Sequence, residues 1–230
     1  MSKTVIITGA TGNLGSAVTK KFLAEGYTVI ATVTSEESKK ELPQSDKLQA
    51  EIVNLTDENE TENFVQRTIA QHKRLDAALL LVGGFAMGNI GATKSGDIKK
   101  QLELNFDTAY NLARPLFAHM MENGEGRLVF IGSRPALNAA AGKNLIAYGL
   151  SKSLLFKLAE YLNEEAKGRN VTATVVAPST IDTPLNRKDM PNANPDNWVK
   201  PEALADVLEF VVSGKAAPLR ETVLKVYNNS

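Results

Sequence analysis

The sequence predicts an α/β fold, in which helices cover both faces of a doubly wound, mostly parallel sheet of about seven strands. Short runs of apolar and β-branched residues alternate with longer amphipathic stretches along the whole chain of 230 residues. This alternation is typical of βαβ units stacked into a parallel sheet. Neither an internal repeat nor a low-complexity linker interrupts the pattern, and we therefore expect a single domain over residues 1–230.

The segments divide clearly into two types. The expected strands cover residues 4–8, 27–34, 48–53, 75–82, 125–131, 171–177 and 221–227. The expected helices cover residues 16–25, 57–70, 97–121, 147–167 and 201–212. Residues 179–200 form a long polar stretch with several prolines. Because a loop of this length in a compact domain usually has a function, we expect a lid over a substrate there.

Composition excludes several classes of function. Lys and Arg number 26, Asp and Glu number 26, and the net charge of zero argues against nucleic-acid binding. No cysteine is present, which excludes thiolate nucleophiles and Cys-ligated metals and suits a reducing cytoplasm. Only His72 and His119 could supply imidazole ligands, so we expect no metal site and place both on helix surfaces. No apolar run is long enough to span a membrane, and no membrane partner is expected.

The first expected strand ends in a glycine-rich turn, Gly9-Ala10-Thr11-Gly12-Asn13-Leu14-Gly15, and a helix follows. Glycines at such a place permit a tight turn, close approach of the backbone to a pyrophosphate, and close packing of helix on strand. The N-terminus of the helix adds free N–H groups and a positive dipole end. The turn lacks the GxxxxGK[ST] pattern of an ATPase loop. The sequence therefore predicts Rossmann-type dinucleotide binding by Gly9, Thr11, Gly12, Asn13, Leu14 and Gly15.

The end of the second expected strand bears on the choice between NAD and NADP. An Asp or Glu normally binds the ribose of NAD at this position. This chain has Thr34 and Ser35 instead, and Glu36 and Glu37 come later. Since no carboxylate would repel a 2′-phosphate there, the sequence favours NADP slightly and leaves NAD open. The alternative is that Thr34 and Ser35 simply cap the next helix.

Small and polar residues also follow the third and fourth expected strands. Asn54 and Leu55 come directly after the third strand. An Asn there either hydrogen-bonds the amino group of an adenine or serves as a turn residue, and both interpretations stay open. Val82, Gly83 and Gly84 end the fourth strand, where glycine lets a ligand lie against the backbone.

Four side chains are candidates for catalysis. Tyr148 and Lys152 lie one turn apart on an expected helix and share a face. A positive charge beside a phenol lowers its pKa, which suits the pair to proton transfer. Ser133 follows the fifth expected strand, at the carboxyl end where open α/β sheets bind ligands. Asn105 lies inside an expected helix, an unfavourable place for Asn unless it is exposed or its amide has a task.

In their order and spacing, the glycine turn, Gly83-Gly84 and these four residues resemble the short-chain dehydrogenase/reductase family over the whole chain. The resemblance implies that Tyr148 is the general acid or base for a substrate carbonyl or alcohol. It implies that Lys152 lowers the pKa of Tyr148 and holds the nicotinamide ribose. Ser133 would hydrogen-bond the substrate oxygen, and Asn105 would hold a water that relays protons. The further cofactor contacts that it implies are Pro178, Thr180, Ile181 and Thr183, the last with the nicotinamide carboxamide.

More narrowly, residues 180–191, Trp198 and Phe85 resemble the quinonoid dihydropteridine reductases. Those enzymes lack the catalytic Ser and Asn and carry an Asp after the second strand, and this chain differs on all three points. We expect an NAD(P)H-dependent oxidoreductase for a small carbonyl, alcohol or quinonoid substrate. A dihydropteridine reductase proper and a non-catalytic NADP-sensing regulator are the alternatives. The resemblance also implies homodimers or homotetramers packed through residues 97–121 and 147–167.

Overall fold

One parallel sheet organises residues 2–229, the part of the chain that the computed structural model describes. Its strands are β1 (Thr4–Ile7), β2 (Thr28–Val33), β3 (Leu48–Ile52), β4 (Ala77–Leu80), β5 (Glu125–Ile131), β6 (Asn170–Pro178) and β7 (Val223–Val226). They lie in the order β3-β2-β1-β4-β5-β6-β7, and every neighbouring pair is parallel. The predicted fold class is confirmed. The strand order reverses between β1 and β4, where sheets of this kind bind ligands.

Helices cover both faces of the sheet. They are α1 (Asn13–Ala24), α2 (Glu36–Lys40), α3 (Glu58–His72), α4 (Ser95–Leu102), α5 (Thr108–Asn123), α6 (Arg134–Leu137), α7 (Ala139–Gly142), α8 (Ile146–Glu165), α9 (Pro184–Asp189) and α10 (Pro201–Val212). A π-helical turn (Glu103–Asp107) joins α4 to α5, and short 3₁₀ turns cover Pro195–Asn197 and Gly214–Ala216. Within residues 2–229, no helix has the length and apolar character needed to cross a bilayer.

The hydrophobic core has two layers, one on each face of the sheet. Successive side chains of a strand point to opposite faces, so Ile6 packs in one layer while Val5 and Ile7 pack in the other. The layer around Ile6 buries side chains from α3, α5 and α8. The layer around Val5 buries side chains from α1 and α10. This packing fixes the helices whose ends surround the carboxyl edge of the sheet.

Three predicted features differ from the structure. The helix expected over residues 97–121 is divided by the π turn. This turn contains Asn105, whose amide makes hydrogen bonds with Gly84 and Ser151. The stretch 179–200 contains α9, and its base is closed by backbone bonds between Thr180–Asp182 and Val199. His119, expected on a surface, is 8% exposed because α5 is buried along most of its length, and burial lowers its pKa.

Candidate active site

Helix α8 carries Tyr148 and Lys152 one turn apart. The Lys152 side chain is 4% exposed, and its Nζ donates to the carbonyl oxygen of Ile131 at 2.9 Å. Ile131 is the last residue of β5, so this bond ties α8 to the carboxyl edge of the sheet. Burial lowers the pKa of Lys152 to about 8 because the ammonium loses its hydration.

The Tyr148 phenol is more weakly acidic than the resemblance implies. Burial raises the pKa of Tyr148, and Ser133 opposes only part of that rise. The expected lowering by Lys152 is not found, because the Lys152 ammonium is directed to the Ile131 carbonyl. In this state the phenol is protonated at neutral pH, which suits it to donate a proton rather than to remove one.

The Ser133 hydroxyl is buried beside the Tyr148 phenol at the carboxyl end of β5. Ser133 directly follows Gly132 and has extended backbone, with φ −159° and ψ 152°. The residue is 4% exposed, and its Oγ makes no hydrogen bond of normal geometry with any atom of residues 2–229. Because a buried hydroxyl without a partner is costly, this atom points to a ligand oxygen that completes it.

Asn105 occupies the π turn and is fully buried, at 0% exposure. Its amide pairs with both backbone groups of Gly84: Oδ1 accepts from Gly84 N at 2.9 Å and Nδ2 donates to Gly84 O at 3.1 Å. Nδ2 also lies 3.0 Å from Gln101 Oε1 and 3.1 Å from Ser151 Oγ. The amide therefore joins the loop after β4 to the α8 helix, and this task explains an Asn inside a helical segment.

Gly83 separates Asn105 from Lys152. A Cβ at this glycine would lie 2.6 Å from Asn105 Oδ1 and 2.9 Å from Lys152 Nζ. Both distances are below any real contact of a Cβ atom, so only glycine leaves the two polar atoms in place. The structure thus gathers the candidate residues into two adjoining pairs, Ser133 with Tyr148 and Asn105 with Lys152.

The glycine turn is compact at the start of α1. Gly9 adopts a φ of +62°, and Gly12 N donates to Gly9 O at 3.0 Å. A Cβ on Gly15 would lie 2.0 Å from Gly9 O, so α1 packs directly on the turn. Gly12 caps α1 without any side-chain hydrogen bond. The first N–H groups of α1 therefore remain available to an anion.

A cavity of about 420 Å³ runs from this turn across β2 to β3. It brings together several residues that the sequence predicted for a dinucleotide, namely Gly9, Thr11, Thr34, Asn54, Leu55 and Val82. Thr34 is exposed at the end of β2. Ser35 caps α2, where its Oγ accepts from Ser38 N at 3.2 Å, so the capping interpretation is right for Ser35.

Comparison with known proteins agrees with the arrangement of these residues. The family model for short chain dehydrogenases matches residues 3–194 of the chain. The chain belongs to the short-chain dehydrogenase family. The predictions of this family and of an NAD(P)-dependent oxidoreductase are therefore confirmed.

Individual relatives have different named activities. A dihydropteridine reductase from Dictyostelium discoideum is 26% identical over 234 residues, 100% of this chain and 96% of that protein. An acetoacetyl-CoA reductase from an Acinetobacter species is 30% identical over 198 residues, 80% of this chain and 76% of that protein. The solved structure of ElxO with NADP bound has a TM-score of 0.91 at 22% identity and covers 98% of this chain and 97% of its own. That last likeness concerns the fold.

In this short-chain dehydrogenase, the close approach at Gly15 and the cavity beside it lie near the reversal point of the sheet, the place where sheets of this kind bind dinucleotides. On the other side, Thr183 is 7% exposed and its Oγ1 caps α9 by accepting from Asn186 N at 3.1 Å. Thr183 and Asn13 both line a second cavity, of about 670 Å³, between α1, α9 and α10.

Three further residues predicted to contact the cofactor, Pro178, Thr180 and Ile181, lie where β6 ends and the 179–200 stretch begins. Pro178 ends β6 opposite Val226 of β7. Thr180 O accepts from Val199 N at 2.9 Å, and Ile181 pairs with Val199 as an isolated bridge. Pro178, Thr180 and Ile181 line neither cavity.

Several residues of the cavity wall were not predicted from the sequence. The cavity wall includes Glu60, from the first turn of α3, and Leu104, beside Asn105. Glu60 sits in an ordinary helix start with no motif to mark it. Phe85 was noted only through the resemblance, and it packs edge-on against Tyr148 with ring centroids 5.2 Å apart. At 63% exposure, the Phe85 ring is open to a substrate on its other side.

Proposed function

We propose that this protein is an NAD(P)H-dependent reductase that converts a small carbonyl or quinonoid group to its reduced form. The observation that carries the proposal is the buried Ser133 hydroxyl, which makes no hydrogen bond of normal geometry within residues 2–229 and lies beside the protonated phenol of Tyr148. Two hydroxyl donors that converge at the carboxyl edge of the sheet form a binding site for one substrate oxygen.

Ser133 and Tyr148 have different roles at that substrate oxygen. The Ser133 hydroxyl donates a hydrogen bond to it and holds the reacting carbon in position. When bound, the nicotinamide cofactor supplies a hydride to that carbon. The Tyr148 O–H then gives its proton to the oxygen, so that C=O becomes CH–OH and the phenolate is left on the protein. In the opposite direction the phenolate would take the proton back.

Lys152 and Asn105 support the phenol rather than touch the substrate. In the role that the family implies, the Lys152 ammonium, which donates to the Ile131 carbonyl in this structure, would hold the nicotinamide ribose. An ammonium in that place would stabilise the Tyr148 phenolate. Asn105 keeps the Gly84 loop closed beside it and, in the role the family implies, holds a water that returns a proton to the site.

The cofactor preference that we propose is NADP over NAD. Thr34 stands exposed where a carboxylate would otherwise exclude a 2′-phosphate. The ElxO structure of the same fold holds NADP. The Thr34 hydroxyl can donate to a phosphate oxygen, whereas an Asp or Glu in its place could not.

A dihydropteridine reductase is the second candidate. It is favoured by the Dictyostelium discoideum relative, which matches the whole chain, and by the open face of the Phe85 ring beside Tyr148. A flat, conjugated substrate could stack on that face. Against it stand Ser133 and Asn105, which the dihydropteridine reductases do without.

We further propose that residues 179–200 act as a lid of a single domain and that α4, α5 and α8 pair copies of the chain. Helix α8 exposes Leu150, Leu154 and Tyr161, and α5 exposes Tyr110. Large exposed apolar side chains on neighbouring helices are typical of protein interfaces.

One experiment tests cofactor and substrate together. The melting temperature is measured with NADPH and with NADH, where a ligand at a hundred times its Kd adds about 2.7 kcal/mol to the free energy of unfolding. NADPH oxidation is then followed with a panel of ketones, β-keto thioesters and quinonoid dihydropterin. We expect stronger stabilisation by NADPH and oxidation by at least one substrate.

The other outcomes decide between the candidates. Turnover only with quinonoid dihydropterin favours the dihydropteridine reductase. Tight cofactor binding without turnover of any substrate favours a cofactor-sensing regulator and overturns the proposed catalysis. Stronger stabilisation by NADH contradicts the proposed preference for NADP.

A further inference from the structure

The cavity beside the glycine turn has two ends of different character. Gly9 and Thr11 line the end near the turn, while Asn54, Thr56 and Glu60 line the end at β3. β3 is the edge strand next to β2, so its end of the cavity lies farthest from the catalytic residues. On the proposed function, a dinucleotide whose pyrophosphate lies at the turn places its adenine ring at this far end.

Asn54, for which both an adenine contact and a turn role were left open, has its acceptor already occupied. Its Oδ1 receives the backbone N–H of Thr56 at 3.2 Å and the Thr56 hydroxyl at 2.8 Å. Since a backbone N–H can only donate, the atom facing it must be the amide oxygen. Two donors use both lone pairs of that oxygen, which leaves Asn54 with only its NH₂ group to offer a ligand.

Glu60 supplies the acceptor that Asn54 lacks. Its Oε1 accepts from the backbone N–H of Asn54 at 2.8 Å, which anchors the carboxylate on the cavity wall. Glu60 is in the first turn of α3, where the helix dipole favours a negative charge. No cation of the described residues forms an ion pair with it. A carboxylate accepts about four hydrogen bonds, so Glu60 keeps several acceptor positions free.

We propose that Glu60 selects adenine by accepting a hydrogen bond from its exocyclic amino group. This proposal rests on the proposed dinucleotide cofactor. The adenine amino group is a donor, and the carboxylate is a charged group at this end of the cavity with several free acceptor positions. Hypoxanthine, in which a carbonyl oxygen replaces the amino group, would instead face the carboxylate with a second acceptor.

The experiment compares NADPH with its hypoxanthine analogue. Dissociation constants are measured by fluorescence titration for the unchanged protein and for Glu60→Gln, without reference to turnover. The glutamine can still accept from Asn54 N, so the loop keeps its anchor. Its amide can also donate to the hypoxanthine carbonyl. We expect the unchanged protein to prefer adenine by roughly ten- to a hundredfold, and Glu60→Gln to lose most of that preference.

Glu58→Gln is the matched control, because it removes the same charge from the same turn of α3. Glu58 pairs with Arg114 at 3.3 Å and does not line the cavity, so its variant should keep the full preference for adenine. If Glu60→Gln weakens both cofactors equally and leaves their ratio unchanged, Glu60 only braces the loop and the proposal is wrong. If neither cofactor binds the unchanged protein, the proposed function itself fails instead.

Discussion

At the carboxyl edge of the sheet, the site has two sides that differ in the groups that form them. On the side of β1 to β3, the shape is set by backbone: Gly9 turns with positive φ, and Gly15 lets α1 lie against the Gly9 carbonyl. On the side of β4 to β6, buried polar side chains set the site, with the Ser133 hydroxyl beside the Tyr148 phenol and Lys152 desolvated. We expect the first side to bind a ligand through the close approach of its backbone. We expect the second side to bind it through hydrogen bonds from buried polar groups.

The largest effect should be on turnover and should come from the side of β4 to β6, which carries the buried polar side chains. Replacing Tyr148 by Phe removes the proton donor and little volume, so turnover should fall by about 10²–10⁴-fold, while the Kd for NADPH stays the same. The measurement is the rate of NADPH oxidation with the best substrate of the panel, beside a binding titration. Tyr161→Phe is the control, since this tyrosine is on the same helix but 68% exposed. Near-normal turnover in Tyr148→Phe would remove the phenol from the mechanism.

The next effect should come from the backbone side. In Gly15→Ala the new Cβ would lie 2.0 Å from the Gly9 carbonyl oxygen, so α1 must move away from the turn. We expect the free energy of unfolding in urea to fall by about 1–3 kcal/mol or more, and NADPH binding to weaken with it. Gly96→Ala makes the same chemical change in α4, where nothing lies within 4 Å, and should instead leave stability unchanged or raise it. Equal behaviour of the two variants would show that the close approach is unimportant.

The third effect concerns Lys152, is small near neutral pH and grows as the pH rises. Its pKa is about 8 in the folded protein and 10.5 for an ordinary lysine, so between these values the unfolded chain binds the extra proton. Stability of the unchanged protein should therefore rise with pH through that range, by at most about 3 kcal/mol. Lys152→Met does not gain stability in this way. The free energy of unfolding of this variant minus that of the unchanged protein should therefore be highest below pH 8. Urea unfolding at several pH values measures the trend.

Lys99→Met, which removes an exposed lysine from α4, is the matched control for loss of an ammonium. A difference between Lys152→Met and the unchanged protein that is constant with pH would mean that Lys152 keeps its ordinary pKa inside the fold.

Local sequence patterns could predict those features of the molecule that depend on residues close together in the chain. The apolar runs predicted the strands, and the 125–131 strand and the 201–212 helix match the structure in both bounds. The glycine turn was recognisable because its spacing reflects contacts within one βαβ unit. The proximity of Tyr148 and Lys152 follows from the pitch of one helix.

What the sequence could not supply depends on contacts between distant segments. The direction of the Lys152 ammonium depends on the Ile131 carbonyl, and burial of Tyr148 raises a pKa that the lysine was expected to lower. The division of residues 97–121 follows from the bonds of Asn105 to Gly84 and Ser151. The position of the Glu60 carboxylate depends on its bond to the Asn54 backbone, and Asn54 Oδ1 is itself occupied by Thr56. Each of these is a hydrogen bond or a desolvation that joins separate elements.

The π turn at Glu103–Asp107 also has a consequence for insertions and deletions. A π turn holds one residue more than an α turn. Because about five residues of a π-helix turn the chain as far as about four residues of an α-helix, deleting one residue here would leave an unbroken α-helix with α4 and α5 in nearly the same relative rotation. The hydrophobic faces would stay in register, but the wider turn that carries the Asn105 amide to Gly84 and Ser151 would be lost. In this segment a change of length would therefore alter the site more than the packing.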